Sequence, residues 1–167
     1  GGGTVLIGGN FQGKGSEQNA LRTFVGSGAT INADATAYGD GGKVIVWADD
    51  VTRYYGHISV RGGAEGGNGG FVEVSGKDSL IYRGTADGTA RPGYKGGSIL
   101  LDPQDILLDA VAATQTAVDN GTGVDVAFNA LPDGATDTTL DVRAAGSFNG
   151  FNQVSLQANR DILLKAD

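Results

Sequence analysis

Residues 41–63 read GGKVIVWADDVTRYYGHISVRGG and residues 69–84 read GGFVEVSGKDSLIYRG; laying one on the other decides the fold. Gly41-Gly42 falls on Gly69-Gly70, Val44 and Val46 on Val72 and Val74, and Tyr54 on Tyr82, each pair 28 residues apart. The same Gly-Gly-plus-apolar phrase stands at Gly2-Gly3-Thr4-Val5-Leu6-Ile7 and at Gly96-Gly97-Ser98-Ile99-Leu100-Leu101. Successive starts are therefore 39, 28 and 27 residues apart. A period this long is no hairpin; it suits one rung of three short strands and three corners, and the 39-residue interval is one rung plus a loop.

Within each phrase the apolar period is two, so Val5/Ile7, Val44/Val46, Val72/Val74 and Ile99/Leu101 should point inward and stack one rung on the next. The paired glycines mark a corner with a positive φ or a close backbone neighbour. A second strand set places Thr52-Arg53-Tyr54 on Leu80-Ile81-Tyr82, with the two tyrosines stacked inside. A third aligns Ile31, Ile58 and Ala86, at intervals of 27 and 28. The expectation is an all-β, parallel β-solenoid with three strands per rung of about 27–28 residues.

Residues 1–106 carry this pattern regularly, residues 107–153 more loosely, and residues 154–167 resume it, all as one continuous domain. Asp-Ile-Leu-Leu occurs at 105–108 and again at 161–164, a separation of 56, which predicts two periods between them. Val111, Thr114 and Val118 at helical spacing, with Gly121 as a stop, predict a short surface helix near residues 110–120.

Composition narrows the function classes. Of 167 residues 30 are Gly, against a usual share of about 7%, and Cys is absent, which removes disulfides, thiolate metal sites and a Cys nucleophile. Net charge is −7, with 10 acids and 9 bases in residues 1–103 and 9 acids and 3 bases beyond. An acidic chain without a basic cluster lacks the footprint of a nucleic-acid binder. No apolar run approaches the roughly 20 residues that would cross a bilayer as a helix, so no membrane insertion is expected. The start at Gly1-Gly2-Gly3 and the lack of Met read as a piece of a longer precursor.

The stretches GGKVIVWADDVTRYYGHISVRGG (41–63), GGNGGFVEVSGKDSLIYRGTAD (66–87) and GGSILLDPQDI (96–106) resemble the filamentous-haemagglutinin-like exoproteins of two-partner secretion. VLIGGNFQGKG (5–15) and VSLQANRDILL (154–164) are similar to the same family. That resemblance implies a right-handed parallel β-helix in a very long bacterial surface protein, secreted through an outer-membrane transporter and used in adhesion, aggregation or biofilm formation. Its partners would be neighbouring rungs of its own chain and a host-cell, glycan or like-cell surface. The family's export domain carries Asn-Pro-Asn motifs and no Asn-Pro occurs here, so the chain matches the shaft rather than the export domain.

The chemistry on offer is sparse. His57 is the one histidine, at the start of a strand beside Gly56, and a corner or solvent-facing role suits it better than a triad. Zinc, which wants several His or Cys ligands, is excluded. Asp50, Asp78, Asp105, Asp133 and Asp161 recur every 27–28 residues. Their leading reading is corner residues that bond nearby backbone; the alternative is a calcium column, with Asp50, Asp78 and Asp105 as its ligands. Trp47 is out of phase with Val44 and Val46, so it should face outward, to lie under a loop or, with Tyr55, to contact a partner. A carbohydrate-active enzyme, the alternative function, would use Asp49 and Asp50 with Trp47 and Tyr55; the residues favour no catalytic role, no catalytic residue and no organic cofactor. Asn120-Gly121-Thr122 is the sole glycosylation sequon.

Overall fold

The computed structural model describes residues 1–104, 106–109, 139–140, 148–158 and 162–165. The predicted helix at 110–120, the sequon at Asn120, and Asp105, Asp133 and Asp161 lie outside them. The architecture is all-β and every strand pairing is parallel.

Strands leave the chain in a fixed order, one to each of three sheets. The first sheet takes β1 (Thr4–Ile7), β4 (Lys43–Ala48), β7 (Phe71–Gly76), β10 (Gly97–Leu101) and β13 (Phe151–Leu156), side by side in that order. The second takes β2 (Arg22–Val25), β5 (Val51–Tyr54) and β8 (Ser79–Tyr82); the third takes β3 (Thr30–Asn32), β6 (His57–Ser59) and β9 (Thr85–Asp87). Parallel neighbours demand a long crossover, and up to β10 each crossover consists of the strands of the other two sheets.

Up to β10 the registers are those the sequence predicts: Val5 pairs with Val44, Val44 with Val72 and Val72 with Ile99. Ile99 then pairs with Val154, 55 residues on, where the period predicts two repeats. Tyr54 pairs with Tyr82, and Ile31 with Ile58 and Ile58 with Ala86. Val44, Val46, Tyr54, Ile58, Val72, Val74, Leu80, Tyr82, Ala86, Ile99 and Leu101 form one buried cluster enclosed by the three sheets. Strands of three to six residues suffice because each side chain that points in meets its counterpart from the next repeat.

The corner glycines serve by close approach. None of Gly41, Gly42, Gly69, Gly70, Gly96 or Gly97 has a positive φ. A Cβ on Gly42 would lie 2.0 Å from the Gly3 carbonyl oxygen, and one on Gly69 would lie 2.0 Å from that of Gly88. Backbone passes through the space a side chain would take.

Past β10 the order changes, which corrects one expectation. The second sheet continues as β8, β12 (Thr139–Leu140), β11 (Ile106–Asp109) and β14 (Ile162–Lys165). Ile106 pairs directly with Ile162, so the two Asp-Ile-Leu-Leu strings are immediate neighbours rather than two repeats apart. The first sheet takes one step over the same interval, from β10 to β13, with a register shift between Gly97 and Ser98.

Candidate functional site

In the first sheet the alternate residues Ile45, Trp47, Glu73 and Leu100 point away from the core, yet all four are buried: 0%, 5%, 0% and 4% exposed. A bare sheet face would not hide them. The connection between β1 and β2, residues 8–20, crosses this face as a strap.

Its middle is a short 3-10 turn at Phe11–Gly13. Asn10 opens it, its Oδ1 accepting from the Phe11 N–H at 2.7 Å and its Nδ2 donating to Glu17 at 2.8 Å. Gln12 takes φ 53°, the one non-glycine residue with positive φ among those described. That conformation, costly for a residue with a Cβ, aims the Gln12 N–H at the carboxyl of Glu73, 3.3 and 3.1 Å from its two oxygens. The Gln12 Nε2 donates to Asp102 Oδ2 at 3.1 Å, and Lys14 Nζ donates to Gln12 Oε1 at 3.1 Å.

The strap also rests on Trp47. Gly9 and Gly13 pass so close to the indole that a Cβ on Gly13 would come within 2.6 Å of it. Trp47 Nε1 donates to Asp49 Oδ1 at 3.0 Å, and Asn19 Nδ2 donates to the same oxygen at 3.0 Å and to the Gly13 carbonyl at 2.9 Å. At the other side Phe11 meets Phe71 edge-on, centroids 5.8 Å apart, with Lys43 Nζ 5.2 Å over the Phe11 ring.

Burial sets the proton affinity of the two acids beneath the strap. Removal from water pushes the Glu73 carboxyl up to about 7; hydrogen bonds from Gln12 and Ser75 and the charge of Lys43 oppose this, and Asp102 reinforces it. Burial also raises Asp102, against the Gln12 hydrogen bond and Lys14. Sequence reasoning passed over Glu73 because its phase marks it as a solvent-facing residue. The one available sign was the 39-residue first interval, which supplies the covering chain.

A second polar system lies at the corner that leads from the third sheet back to the first. Asp40 Oδ1 accepts from the Asn68 N–H at 2.7 Å, Asn68 Oδ1 from the Lys95 N–H at 2.9 Å, and Asn152 Oδ1 from the Gly96 N–H at 2.7 Å. Side chains thus bond backbone of a neighbouring repeat along a column. Beside it an open groove of about 520 Å³ runs between Asp34, Arg61, Thr89 and Arg91. Asp34 is held there by Ser59 Oγ at 2.6 Å and by Arg61, whose N–H and guanidinium reach both carboxylate oxygens.

Of the residues singled out from sequence, Trp47 and Asp49 lie under the strap and the others fall elsewhere. Trp47 is on the outward row and lies under a covering loop, the first of its two expected roles; the alternative of a surface contact is corrected, because chain 8–20 occupies the space a partner would need. Tyr55 is partly buried, its ring 5.7 Å from that of Phe24. Asp50 and Asp78 do stand one above the other, the Asp78 N–H donating to the Asp50 carbonyl at 3.0 Å. The Asp50 side chain is engaged by Arg22 Nε at 2.9 Å, and Asp78 is exposed. Among the described residues no three His, Cys, Asp or Glu side chains converge as a metal site would require. His57 Nδ1 lies 2.8 Å from Thr85 Oγ1 on the third sheet. Asp49, assigned to the catalytic alternative, is taken up by Trp47 and Asn19. No protein-family model matches this chain, and no curated protein matches it.

Proposed function

We propose that the chain is a stretch of right-handed parallel β-helix that serves as a structural and interaction shaft of a large secreted bacterial surface adhesin, as the resemblance to filamentous-haemagglutinin-like exoproteins implies. The observation that supports this most is the ladder Val5–Val44–Val72–Ile99, built from three successive repeats (β1–β3, β4–β6 and β7–β9) that each visit three sheets in turn, with Val154 added after a register shift. Such an arrangement gains length and rigidity by repetition while its corners stay free to vary. Further repeats, in this reading, would pair on β1, β2 and β3, the end strands of the three sheets.

Contact with a host-cell, glycan or like-cell surface falls to the corner beside the Asp34–Arg61 groove rather than to Trp47. Tyr38 and Tyr94 stand there, 72% and 49% exposed, two repeats apart in sequence. The full protein would be secreted through an outer-membrane transporter. A carbohydrate-active enzyme is the weaker reading, since Trp47 and Asp49 are bonded together under the strap and Asp50 is paired with Arg22.

Beads coated with the chain test the proposal. Calcium-independent clumping, or retention on a panel of immobilised glycans and bacterial cells, is the expected result. Turnover of a soluble polysaccharide panel, abolished by Asp50→Asn, would replace the shaft with an enzyme; absence of both clumping and retention would remove adhesion.

A further inference from the structure

We propose that residues 8–20 are a proton-controlled strap, closed over the first sheet when Glu73 is protonated and loosened, uncovering Trp47, when Glu73 ionises.

Geometry makes Glu73 the natural control point. Its carboxyl is fully buried, and the only strap donor that reaches it is the Gln12 N–H, shared between its two oxygens at 3.3 and 3.1 Å. The Gln12 side chain is committed to Asp102, and its backbone is held in the left-handed region, a conformation that relaxes if the strap lifts. Among the described residues, Lys43 on β4 favours the ionised Glu73 and Lys14 on the strap the ionised Asp102, Asp102 beyond β10 disfavours ionisation of Glu73, and Ser75 on its own strand donates to it. Burial outweighs the favourable contacts, and the net effect is a carboxyl that holds its proton to about pH 7 in the closed form.

Linkage fixes the direction. With the strap lifted, Glu73 meets water and its affinity returns towards the ordinary value of 4.5. A group whose affinity is raised in the closed form favours closure fully below that ordinary value, and the advantage is lost as pH rises through about 7. A difference of this size changes the closing equilibrium on the order of a hundredfold across the interval. The inference is independent of the adhesin reading, since it concerns the chain's own cover.

Trp47 is the sole tryptophan and lies under the strap, so it reports opening directly. Acrylamide quenching of its emission, measured on the whole chain from pH 4 to pH 9, should rise severalfold with a midpoint between 4.5 and about 7, and amide exchange over residues 8–20 should quicken in parallel beyond its intrinsic dependence on pH. Glu73→Gln, which keeps an acceptor for Gln12 without a charge, should stay at the acid value throughout. Asp102→Asn should move the midpoint to lower pH by removing a like charge, and His57→Gln should leave it in place. A flat response in the parent chain, a transition that survives in Glu73→Gln, an unmoved midpoint in Asp102→Asn, or its loss in His57→Gln would each overturn the proposal. Circular dichroism at each pH separates strap opening from unfolding; should Glu73→Gln not fold, the Asp102→Asn midpoint decides.

Discussion

Tyr54 and Tyr82 lie one above the other in neighbouring strands, ring centroids 5.0 Å apart and planes inclined by 40°, both without solvent exposure. Phe148 extends the stack, 5.3 Å from Tyr82. The Tyr54 hydroxyl, at the end of a buried ring, donates to the Thr85 carbonyl at 2.6 Å, which reconciles a polar atom with the core. Two different losses are therefore expected. Tyr54→Phe should cost about 1–2 kcal/mol by leaving that carbonyl short of a donor. Tyr82→Ala should cost about 3–5 kcal/mol, because it opens a cavity between two aromatic neighbours. Urea melts of the three chains check the order; equal losses would mean that the hydroxyl, not the stack, carries the stability.

These ladders were legible in the sequence because a core enclosed by stacked repeats writes itself as a period. Val44 and Val72, or Tyr54 and Tyr82, must match in size and phase to share a column, so the same residues recur every 27 or 28 positions. Glu73 was not legible for the converse reason: what buries it is a non-repeating segment whose path depends on one left-handed residue, Gln12, and no period records that. The acidic column was half legible. Asp50 and Asp78 do align, but the residues that bond corner backbone are Asp40, Asn68 and Asn152, a set mixed in type and interrupted at Lys95. Order in the second sheet failed for a similar reason, since an exact repeat of Asp-Ile-Leu-Leu reveals that two strands are alike and not how many lie between them.

The corner glycines give a prediction that contrasts space with conformation. Gly42→Ala places a methyl 2.0 Å from the Gly3 carbonyl oxygen and 2.8 Å from that of Ala33, so strands must part and stability should fall by about 1–3 kcal/mol. Gly3→Ala meets nothing within 4 Å and has no positive φ, so its effect should lie within about 0.5 kcal/mol of zero. Thermal melts of the two variants test it. If both were neutral, the glycine pairs would not be there for close approach.

Asp34 supplies a pH dependence opposite in sign to that of Glu73. Burial pushes its carboxyl up, but hydrogen bonds from Arg61 and Ser59 outweigh this and hold it below the usual carboxylate range. A depressed affinity means that stability is present above the unfolded value near 3.8 and is lost as pH falls through the folded one. Arg61 is half exposed, so solvent screens the pair and about 1–2 kcal/mol is the expected cost of Asp34→Ala at neutral pH. Melts at successively lower pH beneath 3.8 should bring parent and variant together. A gap that persists there would place the effect in packing rather than charge.

Contact through the tyrosine corner can be separated from stability. Tyr38 pairs with Gly66 in an isolated parallel bridge, and the Tyr94 ring lies over that same glycine, which leaves room because it has no side chain. Positions 38, 66 and 94 are spaced by 28, so two exposed rings stand at one corner with a glycine between them. Neither ring belongs to the buried cluster, so Tyr38→Ala and Tyr94→Ala should each leave stability within about 0.5 kcal/mol of the parent. Exposed aromatics of this kind are the residues that most often dominate a contact surface, and the double variant should weaken bead retention about tenfold or more. Trp47→Phe, beneath the strap, serves as the control with retention unchanged. Retention that survives the loss of both tyrosines would move the contact surface away from this corner, towards the groove at Asp34 and Arg61 or to the opposite sheet.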